Sequence, residues 1–182
     1  MTDFERYRQP PLSSARLSLE PLTTAHAELL HAPLCDSALY EYLPGEPPAS
    51  VEALRQRYQR LEARRSPDGS QLWLNWATRI RDGGYVGLVE ATVHDDATTQ
   101  IAYFVFRAFQ RQGFAREAIE SVLSHLQSDI GVREARALVD TRNAASWRLL
   151  ERLSFWRTRT IKDADHFKGA PSDEFEYVRA LT

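Results

Sequence analysis

Apolar positions along the chain follow two spacings that alternate. In "RLSLEPL", Arg16 to Leu22, apolar and polar residues take turns, which predicts a short strand. The spacing becomes helical in "TTAHAELLHA", with Thr23 or Thr24 placed to cap the helix. "LPGEPPAS", Leu43 to Ser50, is dense in Pro and Gly and predicts a loop. It is not a domain linker, because the segment before it is too small to fold alone. Ser50 then caps a helix with Val51, Leu54, Tyr58 and Leu61 on one face, and "SPDG" at Ser66–Gly69 ends it.

Three strands follow: Leu72–Ile80, Tyr85–Val93 and Gln100–Phe106. The short turns between them, "RDGG" at Arg81–Gly84 and one at Asp95-Asp96, imply an antiparallel meander. Ala102 to Phe106 is apolar at every position and reads as a strand covered on both faces. Ala115, Ile119, Val122, Leu123 and Leu126 then recur at helical spacing. Another strand, Ala135–Asp140, comes next, and strand-helix-strand of this length implies a parallel crossover. Asn143 to Leu153 is a further helix with Asn143 as its cap, and two closing strands complete the chain. The expected fold is α/β (α+β): a mixed, mostly antiparallel central sheet of about six to seven strands with helices on both faces. One domain spans residues 1–182, with 1–12 a loose extension.

Composition narrows the classes. The formal charge of −2 gives no footprint for nucleic acid. A single cysteine, Cys35, excludes an internal disulfide and fits a reducing compartment. The start lacks the apolar middle of a signal peptide, and no apolar run is long enough to span a bilayer. A soluble, cytoplasmic protein is expected, as monomer or homodimer.

The junction between the third strand and its helix carries the chemistry. "FQRQGFAR" turns strand into helix through one glycine, Gly113, ringed by Gln110, Arg111, Gln112 and Arg116. A helix N-terminus offers unpaired N–H groups and a positive dipole end, which bind phosphate. Glycine lets an anion come close to the backbone. The fragment reads as a pyrophosphate cradle or as a plain turn beside a solvated helix start. It is neither a Walker A loop nor a dinucleotide fingerprint, which need more glycine.

The wider pattern resembles the GNAT family of N-acetyltransferases, in particular the branch that acetylates ribosomal-protein N-termini. That family's acyl-CoA loop reads Gln or Arg, two residues, Gly, one residue, Gly or Ala. Gln110-Arg111-Gln112-Gly113-Phe114-Ala115 matches at all three fixed positions. The branch also carries Asn, two residues, Ser, then a Leu-Glu-Arg-Leu-Gly-Phe ending; here stand Asn143-Ala144-Ala145-Ser146 and Leu150-Glu151-Arg152-Leu153-Ser154-Phe155. The resemblance spans about Arg16 to the C-terminus and implies acetyl-CoA as co-substrate and a small-molecule or peptide amine as acceptor. It implies pyrophosphate on backbone groups from Arg111 to Arg116, the pantetheine arm on the backbone of Phe104, Val105 and Phe106, and a hydrogen bond to that arm from Asn143. No metal is required, and the sequence holds no His/Cys cluster of ligand spacing.

The amine must lose a proton, and the departing thiolate must gain one. Glu90, on the face shared with Val86 and Leu88, is the candidate base, and a structural salt bridge is its other reading. Many relatives place a carboxylate where this chain has Gln100, and a Tyr where it has Leu150. Ser146 is the acid that the branch suggests in place of that Tyr, or a local helix cap. His94, Asp165 and His166 are weaker candidates. Trp73, Asn75, Tyr40, Tyr42 and the polar stretch Asp163–Tyr177 are candidates to line an acceptor cleft. A different class stands beside the enzyme: a non-catalytic acyl-CoA sensor or interaction module on the same fold.

Overall fold

Eight strands form one sheet, ordered β1-β2-β3-β4-β5-β6-β8-β7, in the computed structural model of the protein, which describes residues 7–181. The strands are β1 (Leu12–Ser13), β2 (Leu17–Pro21), β3 (Leu72–Ile80), β4 (Tyr85–Val93), β5 (Thr98–Val105), β6 (Glu134–Asp140), β7 (Trp156–Phe167) and β8 (Ala170–Ala180). The helices are α1 (His26–Leu34), α2 (Val51–Leu61), α3 (Phe114–His125) and α4 (Ala144–Arg152). All neighbouring pairs are antiparallel except β5 and β6. The mixed, mostly antiparallel sheet is as expected. The strand added to the expected count is β1, whose Leu12 pairs with Leu19.

The described part of the segment expected to be loose is tied down. Tyr7 Oη hydrogen-bonds His125 Nε2, Gln9 Nε2 donates to the Asn75 carbonyl at 2.9 Å, and Trp76 Nε1 donates to the Pro10 carbonyl at 3.3 Å. Residues 1–6 lie outside the described residues.

Alternation fixes two cores. Leu72, Leu74 and Trp76 of β3 join α3 and α4 (Ile119, Val122, Leu150) on one face of the sheet. Ala77 and Leu88 join α1 and α2 (Leu30, Leu54, Tyr58) on the other. Ser50 caps α2 by accepting from Ala53 N at 3.0 Å, as its type predicts. For α1 the expected threonine cap is absent. Ala25 holds the cap position without a side-chain bond, and His26 Nδ1 accepts from Thr23 N at 3.0 Å instead.

Two irregularities place the site. The first is a β-bulge. Thr78 pairs with Gly87 and Arg79 with Tyr85, so Val86 is the extra residue of β4. Val86 therefore joins the α3 core while Leu88 joins the other, and Val86 does not share a face with Glu90 as its spacing suggests. A Cβ on Gly87 would stand 1.9 Å from the Phe104 carbonyl oxygen, so only glycine permits this approach of β4 to β5. The second is a split. β5 and β6 pair only at Thr98–Glu134, Thr99–Ala135 and Gln100–Arg136. Beyond that point β6 continues beside β8 alone.

Candidate active site

The split leaves an open edge on β5. Ala102 is exposed and Tyr103, Phe104 and Val105 are half-buried, so this apolar run is not covered on both faces as its composition suggests. It lines the gap where strand pairing stops. Backbone groups alternate sides along a strand. The Phe104 carbonyl faces Gly87, and Phe106 N donates to the Val86 carbonyl at 2.8 Å. The groups that face the gap therefore belong to Tyr103 and Val105. Of the residues expected to offer backbone there, Val105 does so and Phe104 and Phe106 do not.

The junction after β5 is built by its own side chains. Gln110 Nε2 donates to the Val105 carbonyl at 3.0 Å, and Gln112 Nε2 to the Ala108 carbonyl at 3.0 Å. Arg111 and Gly113 take left-handed backbone, with φ of 60° and 83°. The first bond of α3 runs from Glu117 N to the Gly113 carbonyl at 3.2 Å. Helix geometry thus leaves the N–H groups of Phe114, Ala115 and Arg116 without intrahelical acceptors. A Cβ on Gly113 would meet only Arg16 Nη2, at 3.4 Å, so the approach to those groups is clear. Arg111 is exposed, and Arg116 pairs with Glu120 at 3.0 Å on the helix surface. This constellation fits a pyrophosphate.

A brace behind the cradle escapes sequence reading. Arg16 Nε donates to Glu117 Oε2 at 2.7 Å, its Nη1 donates to the Gln112 carbonyl at 3.1 Å, and its guanidinium lies 4.5 Å from the Phe114 ring centre. Partial burial pushes the Glu117 carboxyl up, but hydrogen bonds from Ser14 and Arg16 outweigh it and hold the group below its ordinary range.

Glu90 lies in a cross-strand row with Asn75 of β3 and Ala102 of β5, on the α1–α2 face. Its side chain is 26% exposed, within reach of a substrate. Burial pushes its carboxyl above the ordinary range, and the Arg57 guanidinium, 3.9 Å away, offsets this in part. Its charge also bears on Tyr40 and Tyr58. Tyr40 is buried with its ring 6.1 Å from Phe104, and its carbonyl accepts from Lys168 Nζ, which ties the β7–β8 tip to this wall. That hairpin closes on Lys168 and Gly169, both at positive φ, as a two-residue turn requires. Asn75 is buried and donates to the Trp73 carbonyl at 3.2 Å, while Trp73 Nε1 donates to Gln71.

On α4, Asn143 Oδ1 accepts from Ser146 N at 3.1 Å, so Asn143 is the cap. The Ser146 hydroxyl serves elsewhere, 2.7 Å from Tyr103 Oη. Leu150 is 1% exposed in the core and takes no part in the cleft. Gln100 is exposed at the last parallel pair. His94 hydrogen-bonds Thr98 through its backbone at the turn between β4 and β5, and His166 is exposed near the hairpin tip.

Two carboxylates, Asp140 and Glu174, stand opposite one another on β6 and β8 beyond the split. Hydrogen bonds from Arg142 draw the Asp140 carboxyl down to about 2, with a further bond from Ser172. Glu174, opposite Asp140 on β8, is pushed up by burial and by the Asp165 and Asp140 charges.

A backbone-lined gap, an open helix start and a part-buried carboxylate can hold an acyl thioester and deprotonate an amine. The sequence model of the Acetyltransferase (GNAT) domain matches residues 16–155. The chain belongs to the GNAT acetyltransferase family. It is an acyl-CoA-dependent acetyltransferase, of a family that acetylates amines. This GNAT chain is 26% identical over 172 residues to an uncharacterized N-acetyltransferase, YoaA, of Bacillus subtilis, covering 92% of this chain and 95% of the relative. Among solved structures it is similar to the RimL ribosomal L7/L12 alpha-N-protein acetyltransferase in complex with coenzyme A. The TM-score there is 0.85 at 20% identity, over 94% of this chain and 98% of that one. It is also similar to spermidine N-acetyltransferase from Vibrio cholerae in complex with CoA and spermine, with TM-score 0.79 at 17% identity, over 92% and 96%. These likenesses are of fold.

Proposed function

We propose that this chain moves an acetyl group from acetyl-CoA to a primary amine by direct attack, with both substrates bound together. The observation that carries the proposal is the split after Gln100 and Arg136. It opens an apolar strand edge whose one face carries Glu90 and whose other face meets the start of α4 through Tyr103 and Ser146. The donor, when bound, supplies an activated acyl carbonyl. The residues do the rest. N–H groups of Phe114 to Arg116 hold the phosphates, with Arg111 adding charge. The outward backbone groups of Tyr103 and the N–H of Val105, whose carbonyl Gln110 occupies, pair with the amides of the arm like an added strand. An N–H on that edge stabilises the developing oxyanion. The Asn143 amide N–H₂, which capping leaves unspent, donates to the arm. Glu90, raised toward neutrality by burial, takes the proton of the attacking amine. Ser146 returns one to the departing thiolate.

The part-buried carboxylates Glu90 and Glu174 favour a cationic acceptor, which Glu90 then neutralises. Thiol release from acetyl-CoA across a panel of peptide N-termini, polyamines and amino acids tests the proposal. Release with at least one amine, lost in Glu90→Gln, is expected. CoA binding without release across the panel would make the protein a sensor.

A further inference from the structure

Ser146 has one proton to offer, and its contact with Tyr103 allows that proton two directions. The backbone of Ser146 is fixed by the Asn143 cap, through its N–H. Its hydroxyl meets Tyr103 Oη at 2.7 Å, and the same phenol lies 3.3 Å from the Ser146 carbonyl. Two arrangements satisfy these atoms. When the phenol donates to the carbonyl, Ser146 donates to the phenol and its proton is turned away from the gap. When the phenol donates to Ser146 Oγ, the serine proton is free to face the open edge of β5. A buried phenol keeps its proton over the working pH range, so it is always a donor; here burial pushes it up to about 12. Tyr103 stands on β5 opposite Val89, and its ring packs on the α3–α4 core, so the hydroxyl is held by a rigid strand. A tyrosine on β5 thus reaches Ser146 at the start of α4, while Leu150, one turn further along that helix, is buried and cannot serve.

We propose that Tyr103 is a positioning residue for Ser146, turning the serine proton toward the leaving thiolate. The step balances. Ser146 Oγ gives its proton to sulfur as the thioester C–S bond breaks and regains one from water, while Tyr103 keeps its own proton and donates its hydrogen bond to Oγ throughout. This inference rests on the transferase reading above.

The test uses the full chain as parent, Tyr103→Phe, Ser146→Ala and the double variant. The first measurement needs no turnover: the thiol of bound CoA is titrated by its thiolate ultraviolet absorbance. In the parent the bound thiol should ionise below the ordinary thiol range of about 8.5. Tyr103→Phe and Ser146→Ala should both weaken its acidity, by about tenfold for one lost hydrogen bond to the anion. The second measurement is kinetic. Both single variants should lower kcat by about tenfold or more while the KM for acetyl-CoA stays put, and the double variant should match Ser146→Ala alone. Phe keeps the ring packing, and thermal unfolding of each variant checks that the fold persists. A Tyr103→Phe variant with parental thiol titration and parental kcat overturns the proposal. So do losses that multiply in the double variant, since Tyr103 would then act apart from Ser146. A parent that binds CoA but releases no thiol with any amine overturns the transferase reading instead, and the bound-thiol titration still decides whether Tyr103 orients Ser146.

Discussion

Two glycines bracket α3 with nearly the same backbone: Gly113 at φ 83° before it and Gly131 at φ 81° after it. Valine at either position must adopt the left-handed region, at about 1–2 kcal/mol. For a domain of this size that is a fall of roughly 2–8 °C in Tm. Neither site adds a serious clash. A Cβ at Gly131 meets nothing within 4 Å, and one at Gly113 meets only Arg16 Nη2 at 3.4 Å. The two variants should therefore lose similar stability. They should differ in CoA affinity. Valine at 113 stands before the unpaired N–H groups of Phe114 to Arg116 and should remove at least one hydrogen bond to a phosphate, worth about 1.5–3 kcal/mol. That is a rise in Kd of roughly ten- to a hundredfold. Gly131→Val should bind as the parent does. Calorimetric titration with CoA, beside thermal unfolding of all three proteins, gives both quantities. Unchanged affinity in a folded Gly113→Val, or an equal loss in Gly131→Val, would refute the cradle.

Glu90→Gln should slow acetyl transfer by on the order of a hundredfold or more and remove the low-pH limb of the rate. The same change should stabilise the fold at neutral pH. Because burial raises the folded pKa of Glu90 above its unfolded value of about 4.5, its favourable contribution is complete below that pH and is lost as pH rises through the folded pKa. The stability gap between Glu90→Gln and parent should accordingly open as pH rises from 4 toward 7, and a gap independent of pH would show that Glu90 is not desolvated. Asn143→Asp keeps the cap acceptor but loses the amide donor, so it should weaken CoA binding about tenfold with little change in Tm, whereas Asn143→Ala should lower both. Equal Tm in the two variants would count against the cap. Gly87→Ala forces backbone against backbone at β4–β5 and should cost about 1–3 kcal/mol with weaker CoA binding, read by denaturant unfolding and titration. A parental midpoint would contradict the close approach to Phe104.

What the sequence discloses is what local spacing encodes. Both ends of β3 and β4 are legible to the residue, because Arg81–Gly84 and Asp95-Asp96 are strong turn signals beside alternating strands. Gly113 and Asn143 are legible because each does its work within three residues of itself. Register is not local. The bulge that turns Val86 away from Glu90 depends on how β4 meets β3, and no composition marks it. Gly87 looks like an ordinary interruption in an apolar run until Phe104 is set beside it. Arg16 and Glu117 lie 101 residues apart, and the pairing that braces the cradle needs the fold first. Tyr103 passes as apolar filler, since a phenol counts as core until its hydroxyl is seen to have a partner on α4.

The three parallel residue pairs at Thr98–Gln100 have a mechanical consequence. They are the only ladder between a block of five strands and a block of three among the described residues, so the sheet is a broad plate with a notch cut most of the way through it. A molecule lying in that notch and bonded to β5 on one side and to the start of α4 on the other acts as a staple. On the proposed reading an acyl donor in the notch adds its binding free energy to this short seam, so amide exchange along Thr98–Gln100 should slow when CoA is bound at many times its Kd. Product release would then loosen the seam in the same step.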